Sequence, residues 1–356
     1  MRRPVPSWSR RRWLVIGAAL AVAVAALVVV RVLRDDDRTR LETALALAPE
    51  SSLRYTWTDW AAVRDELGAD LSADSSGADV DAFLLEAYDR DLSDTTALDD
   101  SAATTQEELG FSPATLDWEL FAQGEDGAVV AMGLPDDVDL DRLRERLRDA
   151  GFSEPDDADG VWFAGADGLE ALSGPVTPEL GALQIDEDAG ILYGSDDQRY
   201  LRDRADLARG ERDDAVAEAA AAAGTPLGAV VYTGEHVCGE LAMNQADPAD
   251  RTRAAELIEE AGGVHPLTGF AMAAEPGGDV RVALVLDDDG QARADADSRS
   301  RLAAGPAPGQ GGTFPERFEL GKVVADGKVV TMELAPVDDS PVLSDLSTGP
   351  VLFASC

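Results

Sequence analysis

The chain has 356 residues, 45% of them hydrophobic and 28% charged, which is enough to bury the core of one large domain or two small ones and excludes global disorder. Acidic groups outnumber basic ones 69 to 30, but no acid precedes Asp35 while seven arginines do, so the remainder holds 23 basic and 69 acidic groups, a formal net charge of −46. Such a surface repels phosphate backbones and anionic headgroups, which excludes nucleic-acid binding and a domain lying on the bilayer; dispersed carboxylates of this kind chiefly keep a domain soluble.

From Trp13 to Val30 there is no charged residue, and Arg12 and Arg31 bound the run. As a helix it spans roughly 27 Å, close to the hydrocarbon thickness of a bilayer, and snorkelling of Arg31 extends it through Val32 and Leu33. Five arginines before the run and Asp35, Asp36 and Asp37 after it place the N-terminus in the cytoplasm and the rest outside. The expected layout is a cytoplasmic segment at 1–12, a transmembrane signal anchor at 13–33, a juxtamembrane linker or helix at 34–48 and an extracytoplasmic domain at 49–356, with sub-units 49–224 and 225–356. Two rival readings are cleavage at Ala21-Val22-Ala23 or Ala23-Val24-Ala25, and a twin-arginine export signal around Arg10, Arg11 and Arg12. The apolar run outlasts a typical signal peptide, which favours the anchor.

Beyond Pro49, Leu53, Tyr55 and Trp57 alternate with polar residues as in a strand. Trp60, Val63 and Leu67 then fall on one face of a helix stopped by Gly68. Between Ala69 and Ser101, rich in Asp, Ser, Ala and Thr, one amphipathic helix carries Val80, Phe83, Leu84 and Tyr88. Ala128–Leu134 reads as a strand, followed by a helix with Leu140, Leu143 and Leu147 on one face, closed by Gly151 with Phe152 folding back. Strands are expected at Val161–Phe163, Leu183–Ile185 and Ile191–Tyr193; Ser195 to Gln198 reads as a capping box, and an alanine-rich helix runs from Asp214 to Ala223. In the second half, Val230–Tyr232 is a strand, Pro248 opens a helix ended by Gly262 and Gly263, and Phe270–Ala274 with Val280–Leu286 form a hairpin. Gln291–Ala304 reads as a helix, a hairpin centres on Asp326-Gly327, and Val351–Phe353 reads as a terminal strand. The order predicts an α+β fold, an antiparallel sheet with helices on one face, and suggests a duplicated hairpin-helix-strand unit.

Cys238 and Cys356 are the only cysteines, and in an oxidising compartment two cysteines pair, tying down the C-terminus. The usual catalytic groups are scarce. His236 and His265 read as ordinary strand-end and loop histidines, no G-x-S-x-G elbow occurs, and Gly305–Gly312 lacks the Lys-Ser/Thr of a phosphate loop. Asp287-Asp288-Asp289-Gly290 and Asp156 to Gly160 offer oxygens to calcium but lack the EF-hand pattern and read as polar turns. No catalytic, cofactor-binding or metal-ligating residue is assigned, and no cofactor is expected.

The arginine-anchor start, the Ala48-Pro49 entry into the domain and the end Phe353-Ala354-Ser355-Cys356 resemble those of uncharacterised, membrane-anchored extracytoplasmic proteins of high-GC Gram-positive bacteria. That resemblance implies envelope display and carries no activity with it. The leading expectation is a non-enzymatic binding or interaction module of the cell envelope with a protein or ligand partner. The alternatives are an extracytoplasmic hydrolase acting through carboxylates and a calcium-responsive domain.

Overall fold

The computed structural model describes residues 38–157, 159–208 and 213–356. The segments expected at 1–12 and 13–33 lie outside them, and among the described residues no helix is long and apolar enough to cross a membrane. Leu41 to Cys356 forms one compact unit. Its strands are β1 (Ser52–Thr58), β2 (Trp118–Gly124), β3 (Gly127–Gly133), β4 (Val161–Phe163), β5 (Ala182–Asp186), β6 (Ile191–Ser195), β7 (Gly228–Thr233), β8 (Gly269–Ala274), β9 (Val280–Val285), β10 (Phe318–Asp326) and β11 (Val329–Pro336). They make one antiparallel sheet in the order β10-β11-β9-β8-β7-β1-β2-β3-β6-β5-β4.

The longer helices are α1 (Arg40–Leu45), α2 (Trp60–Leu67), α3 (Gly77–Asp89), α4 (Leu140–Asp149), α5 (Gln198–Leu207), α6 (Asp214–Ala223), α7 (Pro248–Ala261), α8 (Asp289–Ala303) and α9 (Val342–Ser347). They cover both faces of the sheet, not one. On β7 to β9, Val230, Tyr232, Phe270, Met272, Val282 and Leu284 face the larger core under α2, α3, α4, α7, α8 and α9. The alternate residues Ala229, Val231, Ala271, Ala273, Ala283 and Val285 face a second core under α1, α5 and α6. The second face was hard to see because it is built largely from alanine, on the strands and on α6 alike. Small side chains let α6 lie close to the sheet: a Cβ on Gly269 would stand 2.6 Å from the carbonyl oxygen of Ala215.

The two halves repeat one order of elements. In each, a helix leads into the first strand (α1 to β1, α6 to β7), helices follow, a two-stranded hairpin joins on, and one helix crosses to strands that end beside the hairpin. The final strand of each half, β6 or β11, pairs with that half's hairpin strand β3 or β9, and β1 pairs with β7 at the centre. The second run of elements starts with α6 at Asp214, and Gly224 and Pro226 turn α6 into β7. Residues 40–45 form the helix α1, whose Leu41, Ala44 and Leu45 are buried.

Local chemistry explains the best-defined elements. Asp139 accepts from the Arg142 N–H at the start of α4, and the helix ends with Gly151 at φ 86° and Phe152 N donating to Leu147 O. Asp197, and not Ser195, is the cap of α5, because its carboxylate accepts from Arg199 N and Tyr200 N while Ser195 closes β6. The β10–β11 loop is Gly327-Lys328, one residue beyond the expected centre, with Gly327 at φ 55°. Tyr88 is exposed on α3 beside Leu85, while Ala87 takes the buried position. Val351–Phe353 is no strand: Leu352–Ala354 is a buried helical turn. The outer strands are guarded as edges must be, β4 by its three-residue length and β10 by Glu319 and Lys322.

Candidate functional site

Cys238 and Cys356 are joined in a disulfide with Cα atoms 5.6 Å apart. Cys238 stands on a π-helical turn, Val237–Leu241, that follows β7, and the first half carries a π turn at Thr105–Leu109 before β2. His236 lies two residues before Cys238, its ring edge-on to Tyr232 at 4.7 Å. Burial, with Arg54 nearby, lowers the His236 pKa, so a neutral ring is favoured.

His265 is not an ordinary loop histidine. Its Nδ1 is 2.6 Å from Asp295 Oδ1 on α8, and its backbone N–H donates to the same carboxylate at 3.0 Å. Arg299, one turn on, is fully buried; its Nε donates to Asp295 at 2.8 Å, one terminal nitrogen donates to the carbonyls of Phe353 and Ser355 at 2.6 and 2.9 Å, and the other to that of His265 at 2.5 Å. Burial pulls the guanidinium pKa down, and Asp295 opposes that. A histidine on a carboxylate orients an imidazole for catalysis only when a nucleophile meets its other nitrogen, and among the described residues no hydroxyl or thiol is hydrogen-bonded to His265. The network instead fastens the loop before β8 and the C-terminal segment to α8. Among the described residues nothing joins His236 to His265.

The carboxylate runs resolve into local structure. Asp288 caps α8, accepting from Gly290 and Gln291 N–H groups at 2.7 and 3.0 Å, and Asp156 and Asp157 lie on a bend. Among the described residues no group of three or more His, Cys, Asp or Glu side chains is placed to hold a metal ion. One carboxylate is wholly buried: Glu119 on β2 accepts from Trp60 Nε1 (3.1 Å), Thr96 Oγ1 (2.6 Å) and Ala97 N (2.6 Å), and burial raises its pKa despite these donors. It pins the start of α2 to the sheet.

Where α2 leads, the first half opens a cleft of about 390 Å³, within the size range of small-molecule sites. Its floor is apolar, built from Leu109, Phe111, Leu116, Leu134 and Leu143, all buried, and its mouth lies between Leu71 to Ala73 and Val138. Three arginines line it. Arg64 of α2 donates to the carbonyls of Pro113 and Leu116 at 2.8 and 2.7 Å, and Arg146 of α4 to those of Gln106 and Glu107 at 3.3 and 2.9 Å. Arg142, one turn before Arg146, shares its helix face. Desolvation lowers the Arg64 pKa, and Asp117, Asp65 and Asp59 oppose it. Gly110, at φ 86°, is needed here, because a Cβ would stand 2.8 Å from Arg146 Cδ.

Among the described residues Arg90, Arg144, Arg148, Arg204, Arg253, Arg281, Arg293, Arg299 and Arg317 have a carboxylate within 4.0 Å, whereas Arg64 and Arg146, like Arg251 and Arg301, hold backbone carbonyls. In the second half, the segment before β8 is tied to α8 by His265 bonding to Asp295. Of the cleft residues, Leu134 and Leu143 were legible as strand and helix-face residues, but none of the three arginines stood out, because Arg64 and Arg142 belong to different elements. The only available signal was the i, i+4 pair Arg142 and Arg146 beside an apolar helix face.

No family model and no curated protein matches the chain. Among solved structures, crystal form I of TP0453 aligns over 87% of this chain and 97% of its own at 9% identity and a TM-score of 0.40. Crystal form III of the same protein covers 86% and 98% at 8% identity, also with a TM-score of 0.40.

Proposed function

We propose that the protein is a membrane-anchored, extracytoplasmic binding module without enzymatic activity, held by residues 13–33 and capturing its ligand in the cleft between α2 and α4. The observation that carries this reading is the apolar cleft ringed by Arg64, Arg142 and Arg146, none of them ion-paired, in a domain otherwise dominated by acids. A buried charge without a counter-charge costs stability, and Arg64, desolvated at the cleft wall beside Arg142 and Arg146, is placed to meet an incoming anionic group. The Cys238–Cys356 disulfide supports the location, since such bonds persist in oxidising compartments. The resemblance to anchored envelope proteins points the same way.

The test is to purify the full chain and an Ala73→Trp variant, which places an indole at the exposed mouth of the cleft, and to compare the small molecules and proteins that accompany each by mass spectrometry. The expected result is a species present with the natural chain and depleted from the variant. Identical profiles sink the assignment of the cleft.

A further inference from the structure

The chemistry of the cleft wall narrows the ligand, and the narrowing rests on the binding role just proposed. Ten of the residues that line the cleft are apolar (Leu71, Leu109, Phe111, Leu116, Leu134 and Leu143 among them), and the charged ones are Arg64, Arg142, Arg146, Asp137 and Asp139. Asp139 is committed to capping α4 through Arg142 N. Three positive and two negative groups leave a local charge of +1, against −46 for the chain from Asp35 onward.

Each of the two inner arginines spends one terminal nitrogen on backbone carbonyls, and Arg142 makes no side-chain hydrogen bond or ion pair among the described residues. A planar guanidinium has five N–H donors, so each of the three keeps donors for an anion, and its fork matches a carboxylate. The floor is already buried, and the apolar lining that stays accessible above it is Leu71, Ala73, Pro135 and Val138. We infer that the cleft takes an amphiphilic monoanion: an apolar chain lying against Leu71, Ala73, Pro135 and Val138, with a single carboxylate or phosphate charge at the arginines.

The same charge could come from a free long-chain acid or from the headgroup of an anionic lipid still in its bilayer. The acidity of the domain repels an anionic membrane, so a single amphiphile free of the bilayer is the better match.

The experiment uses the full chain in nanodiscs of zwitterionic phosphatidylcholine, with empty discs subtracted, and follows the fluorescence of cis-parinaric acid. Saturable binding is expected, displaced by oleate and at least tenfold less well by oleyl alcohol or oleylamine, since a charge-assisted hydrogen bond is worth roughly 1.5–3 kcal/mol. Arg142→Glu, at an exposed position, is expected to weaken binding about tenfold or more, and Ala73→Trp to abolish it, both with unchanged circular dichroism.

If the alcohol or the amine displaces as well as oleate while Ala73→Trp still blocks, the ligand class falls and the cleft stands as a binding site. If Ala73→Trp leaves the binding of every probe intact, both fall. Binding to phosphatidylglycerol vesicles that Ala73→Trp removes, with no binding of free parinarate, overturns the free amphiphile in favour of the headgroup.

Discussion

Replacing Asp295 by Asn tests the buried network that fastens the C-terminus. The Asp295 side chain is 1% exposed and that of Arg299 is 0% exposed, so nothing but protein neutralises either charge. Asn keeps the volume and one acceptor oxygen, but leaves the guanidinium without a counter-charge. Removing one partner of such a pair costs about 3–5 kcal/mol, a large share of the roughly 5–15 kcal/mol that holds a domain together. With a urea m-value near 3 kcal/mol/M, a loss of 4 kcal/mol lowers the unfolding midpoint by roughly 1.3 M. Replacing both partners with apolar residues of similar volume, Asp295→Leu with Arg299→Met, leaves no orphaned charge and is expected to lose less than Asp295→Asn alone, despite the freed carbonyls of Phe353 and Ser355. The measurement is urea unfolding of the disulfide-intact chain by tryptophan fluorescence. A shift below about 0.3 M for Asp295→Asn, or a double variant weaker than the single, refutes the argument that the pair is held by mutual neutralisation.

Three further outcomes are expected. Opening the disulfide with Cys238→Ser and Cys356→Ser frees a loop spanning 118 positions and is expected to cost about 5 kcal/mol in the chain-entropy model; an unchanged urea midpoint counts against it. Burial raises the Glu119 pKa above the unfolded value of about 4.3, so its contribution is fully present below that pH and is lost as pH rises through the folded value. Relative to Glu119→Gln, the natural chain should therefore lose stability as pH rises above the unfolded value, and a difference that is flat or rises with pH contradicts the burial argument. In intact cells Cys238 and Cys356 should resist alkylation until a reductant is added, and a phosphatase reporter active only outside the cytoplasm should work when fused after Cys356; a reporter active only on the cytoplasmic side reverses the proposed topology.

What was legible in the sequence follows the range of the forces concerned. Asp139, Gly151 and Phe152 define α4 through contacts within a few residues, and the two cysteines needed only a compartment to pair. Two-stranded elements with short turns, β5–β6 and β8–β9, were equally local. β2 escaped because Trp118 to Gly124 mixes Glu119 and Gln123 with apolar residues, and Glu119 faces a core where the pattern calls for a hydrophobe; three donors from two other segments make that burial tolerable, and none is its sequence neighbour. The same limit applied to His265, whose partner Asp295 lies on another element, and to the cleft.

An arginine on a helix has one appearance in sequence whether a carboxylate answers it or not. Only the assembled sheet brings α2 and α4 to the two sides of one apolar floor, and only then does it matter that Arg64, Arg142 and Arg146 line it with no carboxylate within ion-pair distance among the described residues. The overall charge, read alone, argues against any anionic ligand. Its local reversal over a few side chains argues for one, because an anion repelled by the acidic surface around the cleft is drawn to a place where its charge is answered.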